Sequence, residues 1–160
     1  MDYLIRNADE GDLDALEELE KTCFSLPWTR EQLQSGFHDE NNEFLVAASA
    51  EGIVLGYIGM MTVLDEGYIS NVAVAPDMRR QGIGRRLVKE MLLRAEQRKL
   101  SFVTLEVRAH NESAIQLYGG EGFLPVGKRK DYYERPKEDA LLMTRFFTQK
   151  DVNEHEDSCL

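Results

Sequence analysis

The chain has 160 residues, of which 42% are hydrophobic and 30% charged, the balance of a single globular domain able to bury a sizeable core. Its 19 basic against 29 acidic residues give a net charge of -10, which disfavours a general nucleic-acid or anionic-membrane binder and suits either a basic partner or plain solubility. No segment is as long and apolar as a membrane span, the start "MDYLIRNADE" lacks a signal-peptide pattern, and the two cysteines, Cys23 and Cys159, form no disulfide framework, so a reduced cytoplasm is the expected setting. In chain order, "DYLIR" reads as a strand and "DEGDLDALEELEKTCF" as an amphipathic helix with Leu16, Leu19 and Cys23 at helical spacing. "SLPWTREQLQSGF" is a turn and a second short helix capped by Thr29. "EFLVAASA" and "IVLGYIGMMTVL" form a hairpin about Glu51-Gly52, and "DEG" turns the chain into the strand "YISNVAVA", stopped by Pro76. From Gly82 to about Arg98, Ile83, Leu87, Met91 and Ala95 mark one helix face, with Val88 and Leu92 beside it. "SFVTLEV" is a strand, and "NESAIQLY" a helix capped by Asn111 and ended by Gly119-Gly120. "GFLPVGKRK" and "ALLMTRFF" are closing strands around a charged loop, "DYYERPKED". The order β-α-α-β-β-β-α-β-α-β-β predicts an α/β (α+β) fold, a mixed, mostly antiparallel sheet flanked by helices over residues 1–147, with a flexible polar tail at 148–160.

Chemistry concentrates first at "APDMRRQGIGRRL". A strand leads through two glycines into a strong helix whose first turn carries unpaired N–H groups and partial positive charge. Gly82 and Gly84 let the backbone close around an anion, with Arg79, Arg80, Arg85 and Arg86 about it, so a di- or triphosphate is the natural guest. A solvated arginine face is the plain alternative. The loop is neither GxxxxGK[ST] nor GxGxxG, since Leu87 stands three residues after Gly84. His38, His110 and His155 are scattered and no Cys/His cluster has metal-ligand spacing, so no metal is expected.

Glu106 stands out in "SFVTLEV", because glutamate is disfavoured in strands. Alternation puts it on the face of Thr104 and Phe102, opposite Val103, Leu105 and Val107. Taken alone it reads as a sheet-end glutamate paired with Arg108, and Tyr118 as a core tyrosine on the helix of Ile115.

The run "RRQGIG" fits the R/Q-x-x-G-x-G/A signature of the GCN5-related N-acetyltransferases (GNAT), and the element order resembles that family's fold. "ISNVAVAPDMRRQGIGRRL", "TLEVRAHNESAIQLY", "YYERPKEDALLM" and "CFSLPWT" are similar to its RimI-like, ribosomal-protein-alanine branch. The resemblance implies that Arg80, Gln81, Gly82, Ile83, Gly84 and Arg85 hold the pyrophosphate of acetyl-CoA. Val72, Ala73 and Val74 would pair with its acetyl-pantetheine arm, and Asn111 would contact the coenzyme. Glu106 would be the general base and Tyr118 the general acid. Trp28, Tyr132 and Tyr133 would wall the acceptor groove, and Glu138 or Asp139 would attract a basic N-terminal segment. The implied activity is transfer of an acetyl group to a protein N-terminus, foremost the N-terminal alanine of a basic small-subunit ribosomal protein, by an enzyme that is a monomer or weak dimer.

The direct route, amine on thioester without an acyl-enzyme, is favoured by the distance in sequence of both cysteines from Val72–Val74, Glu106 and Tyr118. An α-amine of pKa about 7.7–8.0 is roughly one-tenth neutral at pH 7, and a lysine of pKa about 10.4 only about one part in 2,500, so a carboxylate base suits the α-amine better. Tyrosine near 10 is a weaker acid than a thiol near 8.5, so Tyr118 is expected to hydrogen-bond the developing thiolate and transfer its proton late. Where relatives continue a helix, this chain reads "YGGEGF", and two glycines predict a helix that stops early and loosens Tyr118. Acetylation of another amine (a lysine, polyamine or small molecule), a coenzyme-sensing module and a nucleotide binder are the alternatives. The module lacks its mark, loss of Glu106 or Tyr118, and the nucleotide binder lacks a Walker lysine or ribose-binding acid.

Overall fold

Among the residues described by the computed structural model, 2–147, the chain runs β1 (Tyr3–Asn7), α1 (Leu13–Cys23), α2 (Arg30–His38), β2 (Asn42–Ser49), β3 (Val54–Val63), β4 (Glu66–Val74), α3 (Ile83–Gln97), β5 (Phe102–Arg108), α4 (Glu112–Gly120), β6 (Leu124–Tyr133) and β7 (Glu138–Phe146). This is the element order expected from sequence, with short 3-10 turns added at Glu10–Asp12 and Pro76–Met78. The strands form a seven-stranded mixed sheet in the order β1-β2-β3-β4-β5-β7-β6, flanked by the helices, with β4 and β5 parallel. The tail at 148–160, with His155 and Cys159, lies outside the described residues.

The described chain divides into two compact units, residues 2–61 with 69–91, and 62–68 with 92–147. In the first, two helix starts are fixed by capping. Asp9 and Asp12 close a reciprocal box before α1, and Thr29 and Gln32 close another before α2. Arg6 grips Asp12 with both guanidinium nitrogens at 2.8 and 2.9 Å, tying β1 to the start of α1 and holding the Asp12 carboxyl below the usual carboxylate range. Leu13, Leu16, Leu19, Leu33, Phe44, Val46, Tyr57 and Ala73 form its core. The face of α3 predicted from spacing is buried at every position, Ile83, Leu87, Val88, Met91, Leu92 and Ala95.

In the second unit, β5 alternates as expected, with Val103, Leu105 and Val107 buried and Thr104 and Glu106 on the opposite face. Its neighbours are β4, where Tyr68 lies opposite Thr104, and β7, where Leu142 lies opposite Glu106. Three expectations need correction. The β3–β4 turn sits at Leu64-Asp65, with Leu64 at φ 56°, and Glu66 already belongs to the strand. The loop "DYYERPKED" is mostly strand, because β6 pairs with β7 as far as Tyr133 opposite Glu138; an irregularity between Arg129 and Tyr133, with Asp131 at φ 52°, keeps the ladder going.

The third correction concerns α4, which runs through Gly119 and Gly120 instead of stopping before them. Its terminator is Gly122 at φ 89°. The Phe123 amide donates to the Tyr118 carbonyl at 3.0 Å and the Gly122 amide to the Gly119 carbonyl at 3.1 Å, a Schellman closure. Its usual apolar contact is the edge-on packing of Tyr118 on Phe123, ring centroids 5.7 Å apart. The glycines therefore do not free Tyr118; the closure begins at its own carbonyl.

Candidate functional site

In the first unit, β4 carries Val72, Ala73 and Val74, with Ala73 buried and the two valines half-buried. Pro76 then stops the strand, and Arg79 folds back to donate from Nε to the Val74 carbonyl at 3.2 Å. Arg80 at φ 65° and Gly82 at φ 79° alternate with ordinary conformations, the backbone habit that turns successive amides to one side as an anion nest. A Cβ built on Gly82 meets nothing within 4 Å, so its inner side is open. Helix α3 begins with the Arg86 amide on the Gly82 carbonyl at 3.0 Å, so the first-turn amides ahead of it face out of the helix start. Arg86 packs over the Tyr3 ring at 5.0 Å. The loop thus has the alternating backbone of an anion nest.

Cys23 belongs to this neighbourhood, contrary to the sequence reading. Its thiol donates to the Val74 carbonyl and accepts from Arg79 Nη2, both at 3.5 Å. Fifty-one residues separate Cys23 from Val74, a proximity created by the packing of the α1 terminus and invisible to spacing. The distance argument for direct attack thus falls away for this cysteine. Trp28 packs half-buried against the core of α1 and α2.

Behind Val72 lies a group that the sequence pattern does not mark. Glu20 on α1 is fully buried and accepts from Asn71 Nδ2 of β4 at 2.8 Å. Burial raises its pKa to about 7, partly offset by the facing Tyr57 hydroxyl, the Trp28 amide and Asn71. Glu20 Oε2, Asn71 Oδ1 and the Tyr57 hydroxyl remain without a full hydrogen bond. Within "EELEK" it reads as one more helix-surface acid.

In the second unit, Glu106 is engaged at both oxygens. The Tyr68 hydroxyl donates to Oε2 at 2.5 Å, and Arg129 Nε approaches Oε1 at 3.2 Å, leaving the Glu106 side chain 8% exposed. Neither partner follows from the sequence pattern. Arg108, the expected one, instead bridges the carbonyls of Glu134 and Pro136 and the Glu138 carboxylate, and lies over the Tyr133 ring at 4.4 Å. Burial and then Glu106 hold the Tyr68 hydroxyl well above its ordinary range.

Tyr133 and Tyr118 share this neighbourhood. Burial first, then Tyr132 and Glu106, push Tyr133 up to about 12, and Tyr118 adds to the effect. Burial alone pushes Tyr118 up to about 12. Tyr132 packs edge-on against Tyr133 at 5.0 Å and is 46% exposed. The acidic candidates have internal partners. Glu138 accepts from the His110 amide at 2.7 Å and pairs with Arg108, which keep its carboxyl below the usual range, and Asp139 accepts from the Asp131 amide. Asn111 caps α4 through the Ala114 amide at 3.3 Å. Among the described residues no cluster of three or more His, Cys, Asp and Glu side chains is arranged to hold a metal, and no helix is long and apolar enough to cross a membrane.

A mixed sheet in this strand order, with a glycine loop opening the helix after β4, is the architecture of an acyltransferase. Residues 13–123 match the model of the Acetyltransferase (GNAT) family, and the chain belongs to that family. It is 33% identical over 141 residues to the ribosomal protein bS18-alanine N-acetyltransferase of Escherichia coli K12, covering 87% of this chain and 94% of that protein. The crystal structure of the E. coli ribosomal-protein-S18-alanine N-acetyltransferase matches with a TM-score of 0.85 at 31% identity, over 91% of this chain and 94% of the other. Arabidopsis thaliana NAA60, solved with acetyl-CoA, shares the fold with a TM-score of 0.85 at 20% identity, over 92% of this chain and 99% of that one.

Proposed function

We propose that the chain is an acetyl-CoA-dependent N-α-acetyltransferase acting on a protein N-terminus, with the N-terminal alanine of the small-subunit ribosomal protein bS18 as its foremost acceptor. The near full-length similarity to the E. coli enzyme of that name carries the reading. The nest at Arg80–Arg85 would bind the pyrophosphate of the substrate through backbone amides, and Val72–Val74 would take its pantetheine arm along the strand. Glu106 would accept the proton of the acceptor amine, directly or through water. The amine nitrogen forms the amide bond to the acetyl carbon, the carbon–sulfur bond breaks, and the electron pair leaves on sulfur. Tyr132 and Tyr133 would line the acceptor side, while the hydrogen bonds of Glu138 and Asp139 make holding β6 to β7 their first task.

The environment of Tyr118 bears on its part. A hydroxyl pushed up to about 12 is a weaker acid than a thiol near 8.5 by about 5 kcal/mol, so Tyr118 donates a hydrogen bond to the leaving sulfur and keeps its proton until late. Tyr118→Phe is expected to lower kcat by about 100-fold, the effect of losing one donor to a developing anion, with the affinity for acetyl-CoA unchanged. Unaltered turnover would remove Tyr118 from the chemistry.

The test of the whole reading is thiol release from acetyl-CoA with a peptide bearing a free N-terminal alanine, an N-terminally blocked copy, and an N-terminally blocked peptide with an internal lysine. Release with the free α-amine alone supports the assignment. Release with the blocked lysine peptide would move the enzyme to side-chain amines.

A further inference from the structure

Glu106 as it stands is closed to an acceptor. Its side chain is 8% exposed, Tyr68 occupies one oxygen and Arg129 the other. These two partners differ in freedom. Tyr68 is half-buried on β4, an inner strand, whereas Arg129 projects from β6, the outermost strand of its end of the sheet, and its side chain is 54% exposed. Its guanidinium lies 5.9 Å from the Tyr132 ring, a flat surface along which a cation can slide without losing all stabilisation. Arg108, the other guanidinium nearby, is held by two carbonyls and Glu138 and cannot take over.

We propose that Arg129 is a place-holding cation, a positioning residue that covers Glu106 Oε1 until the ammonium group of the acceptor displaces it. The inference rests on Glu106 being the base of the proposed reaction. The protonated N-terminus and the guanidinium compete for one oxygen, so exchange replaces one cation by another and the carboxylate is not left bare in a half-desolvated site. A cationic amine opens the site by its own charge and then passes its proton to the carboxylate it has uncovered. The acceptor KM therefore contains the work of moving Arg129, and the affinity for acetyl-CoA does not.

Two variants read this out. Arg129→Gln removes the competing charge at an exposed edge position, and Arg129→Lys keeps it. Arg129→Gln is expected to lower the peptide KM about five-fold, the affinity equivalent of a partly exposed ion pair, with the acetyl-CoA KM unchanged, and Arg129→Lys to behave like the wild type. A peptide KM that is unchanged or higher in Arg129→Gln overturns the proposal, as does a fall in kcat alone, which would make Arg129 a brace for Glu106. Carbodiimide-driven coupling of methylamine to Glu106, followed by peptide mass, reads the cover without turnover. Faster labelling in Arg129→Gln than in wild type or Arg129→Lys supports it, and equal labelling overturns it. A wild type that acetylates no α-amine defeats the functional reading and leaves the labelling to decide whether Arg129 covers the carboxylate.

Discussion

Replacing Glu106 by glutamine is expected to lower kcat/KM for acetyl transfer to an α-amine by about 100- to 10,000-fold, the range a positioned general base contributes. Acetyl-CoA affinity should be unaffected, because its proposed contacts, the nest at Arg80–Gly82 and the strand Val72–Val74, belong to other elements. The fold should survive. The substituted amide keeps the shape and can accept from Tyr68, and freeing the half-exposed Arg129 costs about 1 kcal/mol or less. A near-native Tm with lost turnover, checked by thermal unfolding beside the thiol assay, locates the defect in chemistry. Retained turnover would mean that Glu106 serves the sheet, holding β4 and β6 through Tyr68 and Arg129.

The parts of this site that are legible from sequence are those set by local periodicity. The apolar repeat of α3 marks its buried face, and strand alternation puts Glu106 on the correct side of β5. What stays hidden depends on strand order. Tyr68 reaches Glu106 because β4 and β5 are parallel neighbours, with Tyr68 beside Thr104. Arg129 reaches it because β7 inserts between β5 and β6, a gap of about 10 Å that a long arginine can span. Arg108, two residues along the same face, is the nearer candidate, yet the open carbonyls of the 134–136 turn claim its guanidinium. The end of α4 escapes sequence reasoning for a different reason. Treating glycine as a helix breaker ends the helix at Gly119 and Gly120, whereas the position that requires glycine is Gly122, whose φ of 89° lets the chain close back on Tyr118.

The second large effect is a dependence of stability on pH, controlled by Glu20. Its carboxyl titrates near 7 in the folded protein against 4.5 without burial, because the folded site disfavours the charge. The folded state therefore holds the proton more tightly. This contribution is fully present below about 4.5, declines as pH rises, and is lost above about 7. Between pH 5 and 8 the wild type is expected to lose on the order of 2–3 kcal/mol of unfolding free energy, and Glu20→Gln to lose almost none of it. Asp12 shifts the opposite way, and its contribution falls only as pH drops toward its lowered pKa, outside this window. Urea unfolding at pH 5, 6, 7 and 8 measures the slope; equal slopes in the two proteins would show that Glu20 is charged and solvated where it stands. A neutral Glu20 also accounts for its surroundings, since its O–H supplies a donor to a cluster in which Asn71 Oδ1 has none. The consequence reaches β4, the strand proposed to take the pantetheine arm, through Asn71, next to Val72. An α-amine acceptor becomes neutral, and reactive, as pH approaches about 8, over the same range in which the support behind β4 acquires a buried charge. The two trends oppose each other, so Glu20→Gln should move the upper limit of the activity profile to higher pH while leaving its acid limb in place.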